Sequence, residues 1–122
     1  MQPLAIVFYE RLMPGSQLVN RLQDLNYRVL AIDNAARLAA TVHREMPLLL
    51  IADVASKGWI NDAIKKVRDT EATSHIPIIA FAPDKATDLI AAAQAAGANL
   101  AVTESALGSH LTQMLEQALH VE

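Results

Sequence analysis

Pro47-Leu48-Leu49-Leu50-Ile51-Ala52-Asp53-Val54 is the stretch whose reading decides the fold. From Leu48 to Ala52 it shows no polar alternation, so the strand it predicts is covered on both faces, as strands of parallel sheets are. A lone carboxylate, Asp53, follows at the exit of that strand. Working outward, Leu4 to Phe8, Ile78 to Phe81 and Leu100 to Val102 have the same character, and Arg28 to Ile32 is a more mixed fifth run. Helical spacing fills the gaps: Leu18, Val19, Leu22 and Leu25; Ala35, Leu38, Ala39 and Val42; Ile60, Ala63, Ile64 and Val67. Leu89, Ile90, Ala93 and Ala96 form a fourth such stripe, and Leu107, Leu111, Met114, Leu115, Ala118 and Leu119 a fifth.

Strand and helix thus alternate five times. Alternation of this kind favours a parallel sheet whose right-handed crossovers place helices on both faces, which requires the winding direction to reverse along the sheet. The predicted strand order is 2-1-3-4-5, with a crevice at the C-terminal ends of the first and third strands. Tyr9, Glu10 and Asp53 stand at those ends. Ser16, Asn34, Asp84 and Ser105 are read as acceptors for helix-start amides, and Asn26 and Gly97 as left-handed helix ends. Pro47 stops the second helix, while Pro14-Gly15 leaves the start of the first unsettled.

A chain of 122 residues suits one domain, 1–122, with a sizeable core. It contains no cysteine, which excludes disulfides, thiolate nucleophiles and sulfur-ligated zinc. Ten basic and thirteen acidic residues leave a formal charge of -3, and the basic residues form no stripe, so neither nucleic acid nor an anionic membrane is an expected partner. No apolar stretch approaches the roughly 20 residues of a spanning helix, and no basic leader precedes the first strand. The chain reads as soluble and cytoplasmic, and no effector domain is expected within it.

With its strands in this order the chain resembles, over essentially its whole length, the receiver domain of two-component response regulators. The stretch from Pro47 to Val54, followed by Gly58, is similar to the family's third strand and phosphoacceptor aspartate. Ile76-Pro77-Ile78-Ile79-Ala80-Phe81-Ala82 is similar to the fourth strand, and Ala95-Ala96-Gly97-Ala98-Asn99 to the turn before the fifth. Asn26-Tyr27 falls where the family usually has Gly-Tyr. The implied architecture is a flavodoxin-like, doubly wound (βα)5 sheet.

The resemblance also implies a set of polar site positions. Asp53 matches the phosphoacceptor. Tyr9 and Glu10 match the acidic pair that holds Mg2+, so one carboxylate of two survives. Ala82 stands where a hydroxyl residue contacts the phosphoryl group, Glu104 where a lysine neutralises it, and Ser105 where a proline usually follows. Exchanging lysine for glutamate changes the local charge by two units. Each unit pair is worth about 3 kcal/mol at ~6 Å and an effective dielectric of ~20, before screening by solvent. The sign disfavours a phosphoryl dianion. Glu10, Asp53 and Glu104 would together attract a hard cation, or raise one another's pKa.

The leading expectation is therefore an atypical receiver, or pseudo-receiver: a non-enzymatic protein interaction module in two-component or phosphorelay signalling, with phosphoryl switching weakened or lost. Its implied partners are a histidine kinase or an effector domain, or a second copy through the fourth and fifth helices. Two alternatives stay open. One is a phosphorylatable receiver in which Asp53 attacks a partner's phosphohistidine and Glu10 holds Mg2+. The other is a flavodoxin-like domain that takes a small molecule or flavin at the crevice.

Other residues offer less chemistry. His43, His75, His110 and His120 share no ligand spacing, Ser105 and Ser109 have no paired base, and Glu10 to Gly15 matches no phosphate-binding loop. Tyr9 either stacks over the site or packs its ring under the first loop. Trp59 is either a contact anchor or tucked against the adjacent helix.

Overall fold

The computed structural model describes residues 3–55 and 60–119, and at 12–14 the backbone alone. The readings of Gly58, Trp59 and His120 lie outside the described residues. Five strands, β1 (Leu4–Phe8), β2 (Arg28–Ile32), β3 (Leu49–Asp53), β4 (Ile78–Ala82) and β5 (Leu100–Thr103), form one sheet. All their pairings are parallel, and the order is β2-β1-β3-β4-β5, the order expected. The helices are α1 (Leu12–Asp24), α2 (Ala35–Glu45), α3 (Ile60–Asp69), α4 (Thr87–Ala96), α5 (Glu104–Ser109) and α6 (Leu111–Leu119). Among the described residues no helix is long and apolar enough to cross a membrane.

Side chains alternate across a strand, so each unbroken apolar run supplies both faces of the sheet. Ile6, Phe8, Leu50, Ala52, Ile78 and Ala80 pack against α2, α3 and α4 through Leu38, Val42, Ile64 and Ala93. Ala5, Val7, Leu49, Ile51, Ile79 and Phe81 pack against α1, α5 and α6 through Leu18, Leu22, Leu107, Leu111 and Leu115. Every residue of β3 and β4 is buried, which fits the central position of these strands. Asp53 is in phase with Leu49 and Ile51 and therefore belongs to the face covered by α1 and α5.

The ends of the elements differ in places from the sequence reading. Asn34 does cap α2, accepting from the Ala36 amide at 2.9 Å. Ser16 caps nothing, because α1 starts at Leu12 and takes Pro14 and Gly15 into its first turns; proline is tolerated there, where its amide would have no helical partner. Thr103 rather than Ser105 caps α5, accepting from the Ala106 amide at 3.1 Å. Asp84 lies ahead of α4, whose N-cap is Ala86. The predicted fifth helix breaks at His110 (φ -130°, ψ 32°) into α5 and α6, just after Gly108-Ser109, two weak helix formers. The apolar stripe survives the break, with Leu107, Leu111 and Leu115 all buried.

Asn26 (φ 70°) and Gly97 (φ 124°) take the left-handed backbone expected of them, and Met46 (φ 46°) joins them ahead of Pro47. Gly97 also sits against Arg68, which fastens the end of α3 to two loops. Its Nε donates to the Gly97 carbonyl at 3.1 Å, its Nη2 to Asn99 Oδ1 at 2.7 Å, and its Nη1 to the Ser74 carbonyl. Burial holds the Arg68 pKa below its ordinary value. A Cβ at position 97 would lie 3.1 Å from Arg68 Cγ and 3.2 Å from its Cβ. Gly97→Ala therefore meets backbone strain and crowding together, and is expected to cost about 2 kcal/mol. A lower denaturation midpoint at an unchanged m-value is the check.

Candidate functional site

Asp53 ends β3 opposite Phe81 of β4 and is fully buried. An isolated carboxylate in such a place is costly, and its partners decide whether it is tolerated. Its main partner is Arg11, the N-cap residue of α1, whose extended backbone (φ -86°, ψ 115°) carries the chain from β1 into the helix. Arg11 Nε donates to Asp53 Oδ2 at 2.7 Å and Nη2 to Oδ1 at 2.9 Å, a bidentate pair. The Ala55 amide also donates to Oδ1, at 3.0 Å.

The same Nη2 donates at 2.8 Å to Oε1 of Glu104, the first residue of α5. One guanidinium thus joins the β1–α1 turn, the end of β3 and the start of α5. Arg11 is one-third exposed and Glu104 40% exposed, whereas Asp53 is fully enclosed, so the tightly held half of the bridge is the half with Asp53. The hydrogen bond to Asp53 raises the Arg11 pKa further above its already high ordinary value; burial opposes the shift and Glu104 adds to it.

Arg11 is the site residue that sequence reasoning missed. Three carboxylates were expected to attract a hard cation, and two of them, Asp53 and Glu104, do share a cation. It is a side chain of the chain itself. The available signal was an arginine immediately after Glu10 in the turn that faces Asp53.

The other expected positions separate. Glu10 is exposed and, with Tyr9 and Asp33, lines a different hollow of about 350 Å³ at the mouth of β1 and β2. Tyr9 takes the second option: it packs against the core on the α1 face, its ring so close to Gly15 that a Cβ there would lie 2.1 Å from ring Cγ. Ala82 is fully buried on the α2–α4 face. Its register partner Thr103 does bring a hydroxyl to the sheet edge, but that hydroxyl caps α5. Ser105 is bound from the other side, its amide donating to Asp84 Oδ1 at 3.1 Å and its hydroxyl to Oδ2. These bonds hold the Asp84 carboxyl below its usual pKa. The start of α5 is accordingly tied to the β1–α1 turn through Glu104 and to the β4–α4 loop through Ser105.

Mg2+ does not fit this arrangement. Among the described residues no three acidic or histidine side chains converge to hold a metal ion, and both Asp53 oxygens already accept hydrogen bonds from Arg11. The flavin alternative gains no support either.

No protein-family model matches the chain, and no curated protein does. Solved structures do. A candidate response regulator from Chloroflexus aurantiacus J-10-fl superposes with a TM-score of 0.89 at 19% identity, covering 98% of each chain. A two-component response regulator of the LuxR family from Aurantimonas sp. SI85-9A1 gives 0.81 at 17% identity, over 98% of this chain and 86% of that one. The receiver domain of a sensor histidine kinase from Pseudomonas aeruginosa PAO1, whose structure holds a magnesium ion in the active-site cleft, gives 0.82 at 15% identity over 98% of each. The chain has the flavodoxin-like receiver fold, and its structural neighbours are response regulator receiver domains.

Proposed function

We propose that the chain is a pseudo-receiver, a non-enzymatic interaction module of two-component signalling in which the phosphoryl switch is replaced by a built-in cation. The observation that carries this reading is the bidentate Arg11–Asp53 pair with its third bond to Glu104. Phosphorylation of an aspartate requires a carboxylate oxygen to attack phosphorus in line with the leaving group while cations neutralise the oxygens around it. Both oxygens of Asp53 accept hydrogen bonds from the guanidinium. Arg11 instead supplies, permanently, a positive charge at the acid.

The expected partner is a protein, a histidine kinase or an effector domain, and the expected surface is that of α4, β5 and α5. Ala91, Ala92 and Ala95 are exposed on α4 and all of β5 is half-buried, so a close-approaching apolar surface is available. A second copy of the chain could use the same face. The ties at Glu104 and Ser105 hold this face in one arrangement without a phosphoryl group.

Incubation with Mg2+ and a small phosphodonor, read by intact mass, tests the proposal. Wild-type protein is expected to gain no phosphoryl adduct. Stoichiometric modification at Asp53 would sink it and favour a charge-exchanged, working receiver in which Arg11 neutralises the phosphoryl group.

A further inference from the structure

β2 is an edge of the sheet and pairs with β1 alone. The Arg28 amide donates to the Pro3 carbonyl at 2.8 Å, and the Ile32 carbonyl accepts from the Tyr9 amide at 3.0 Å. Residues 28, 30 and 32 therefore turn their backbone groups toward β1, and alternation turns the N–H and C=O groups of Val29 and Ala31 outward. No hydrogen bond to these outward groups occurs among the described residues. A row of unpaired backbone groups on an open edge is a template for another extended segment.

Charge distinguishes this edge. Between β2 and α2 lies a groove of about 430 Å³, floored by Leu30, Ala31 and Ile32. Its wall is a stripe of α2, Arg37, Thr41 and Arg44, spaced by four and three residues and so on one face of the helix. Both arginines are exposed. Arg37 forms no ion pair among the described residues, and Arg44 is held by its chain neighbour Glu45, at 2.9 Å, in an exposed pair of a kind worth little. Asp33 is the carboxylate that lines the groove, and Arg28 is exposed on the same face of β2, in phase with Leu30 and Ile32. Arg28, Arg37 and Arg44 against Asp33 and Glu45 leave this side of the edge net positive in a chain whose formal charge is -3. At the opposite edge, β5 is flanked by α4 and α5, neither of which carries a basic residue.

We infer that the β2 edge takes an extended peptide of a partner protein as a sixth strand, with acidic residues at alternate positions facing Arg37 and Arg44. Main-chain bonds to Val29 and Ala31 supply affinity, and alternate side chains supply selectivity. The intervening side chains fall on the other face of the sheet, beside half-buried Tyr27 and Val29, which suits apolar residues. A second copy of the chain is disfavoured as the occupant. Antiparallel pairing of two β2 strands about a two-fold axis keeps both α2 helices on one side of the joined sheet and sets Arg37 and Arg44 of each copy before those of the other. The edge lies away from α4, β5 and α5, so the inference goes beyond the pseudo-receiver reading and stands whether or not Asp53 accepts a phosphoryl group.

The test is titration of the 15N-labelled protein with a terminally blocked Glu-Val-Glu-Val-Glu peptide. Saturable shifts of the Val29, Ala31 and Asp33 amides, with slowed hydrogen exchange at Val29 and Ala31, are the expected result. A Gln-Val-Gln-Val-Gln peptide, or the acidic peptide with Arg37→Gln, is expected to bind about tenfold more weakly, at an unchanged melting temperature for the variant. The acidic peptide N-methylated throughout, which cannot donate main-chain bonds, is expected not to bind. Absence of saturable shifts at these amides up to millimolar peptide, or equal binding by the N-methylated peptide, would overturn the strand addition. Equal binding of the acidic and amide peptides, or full binding by Arg37→Gln, would overturn the preference for acidic residues. Shifts of the same amides on raising the protein concentration without peptide would assign the edge to a second copy instead.

Discussion

Arg11→Met is expected to lower folding stability by about 3 kcal/mol, because it removes the guanidinium bonded to both oxygens of a fully buried carboxylate. The figure lies at the low end for a broken buried pair, since Arg11 itself is one-third exposed and water can enter where its head group was. The Ala55 amide still reaches Asp53 but carries no charge to offset it. Arg11→Met combined with Asp53→Asn, which removes both charges and keeps an acceptor for Ala55, should recover more than half of the loss. Urea denaturation of the four proteins at neutral pH is the measurement. Strictly additive losses would mean that the pair contributes nothing as a pair.

What the sequence made legible follows from how each part is encoded. The sheet is written in runs such as Leu49-Leu50-Ile51-Ala52, where burial on both faces leaves no polar residue to confuse the period, and strand order follows from alternation and the hand of crossovers. Asp53 was legible for the same reason, as the first charge after such a run. Helix starts were less so. Ser16 and Ser105 have the right side chains for caps, but a cap needs extended backbone angles at the cap residue itself, and Arg11 and Thr103 hold those angles instead. The charge state of the site was misread because acidic positions were compared one by one with a pattern, while the group that satisfies Asp53 and Glu104 comes from 42 residues away from the first and 93 from the second. Separation of that kind has no local signature. Burial supplies the missing rule: an enclosed carboxylate demands a partner, and the nearest turn with a long cationic side chain is the first place to look.

Arg11 holds its place only if the turn that carries it is fixed, and the structure assigns that task to Tyr9 and Gly15. The Gly15 amide donates to the Arg11 carbonyl at 3.3 Å, and the Tyr9 ring lies against Gly15 where any Cβ would fall 2.1 Å from ring Cγ and Cδ2. Alanine in place of a helical glycine ordinarily stabilises by about 1 kcal/mol. At position 15 the sign should reverse. The colliding atoms are at the base of the ring, so rotation about its axis relieves nothing, and either Tyr9 leaves α1 or the start of α1 moves; overpacking of this kind costs about 1–3 kcal/mol. The expected net loss for Gly15→Ala is about 2 kcal/mol, with the Arg11–Asp53 pair disturbed as the turn shifts. With Tyr9→Ala as the background, the same methyl group meets no ring and should stabilise by several tenths of a kcal/mol, recovering the ordinary helical preference. A destabilising Gly15→Ala in both backgrounds would separate Tyr9 from the turn. A sign reversal would show that the Tyr9 ring, packed on Gly15, is the brace that holds the turn carrying Arg11.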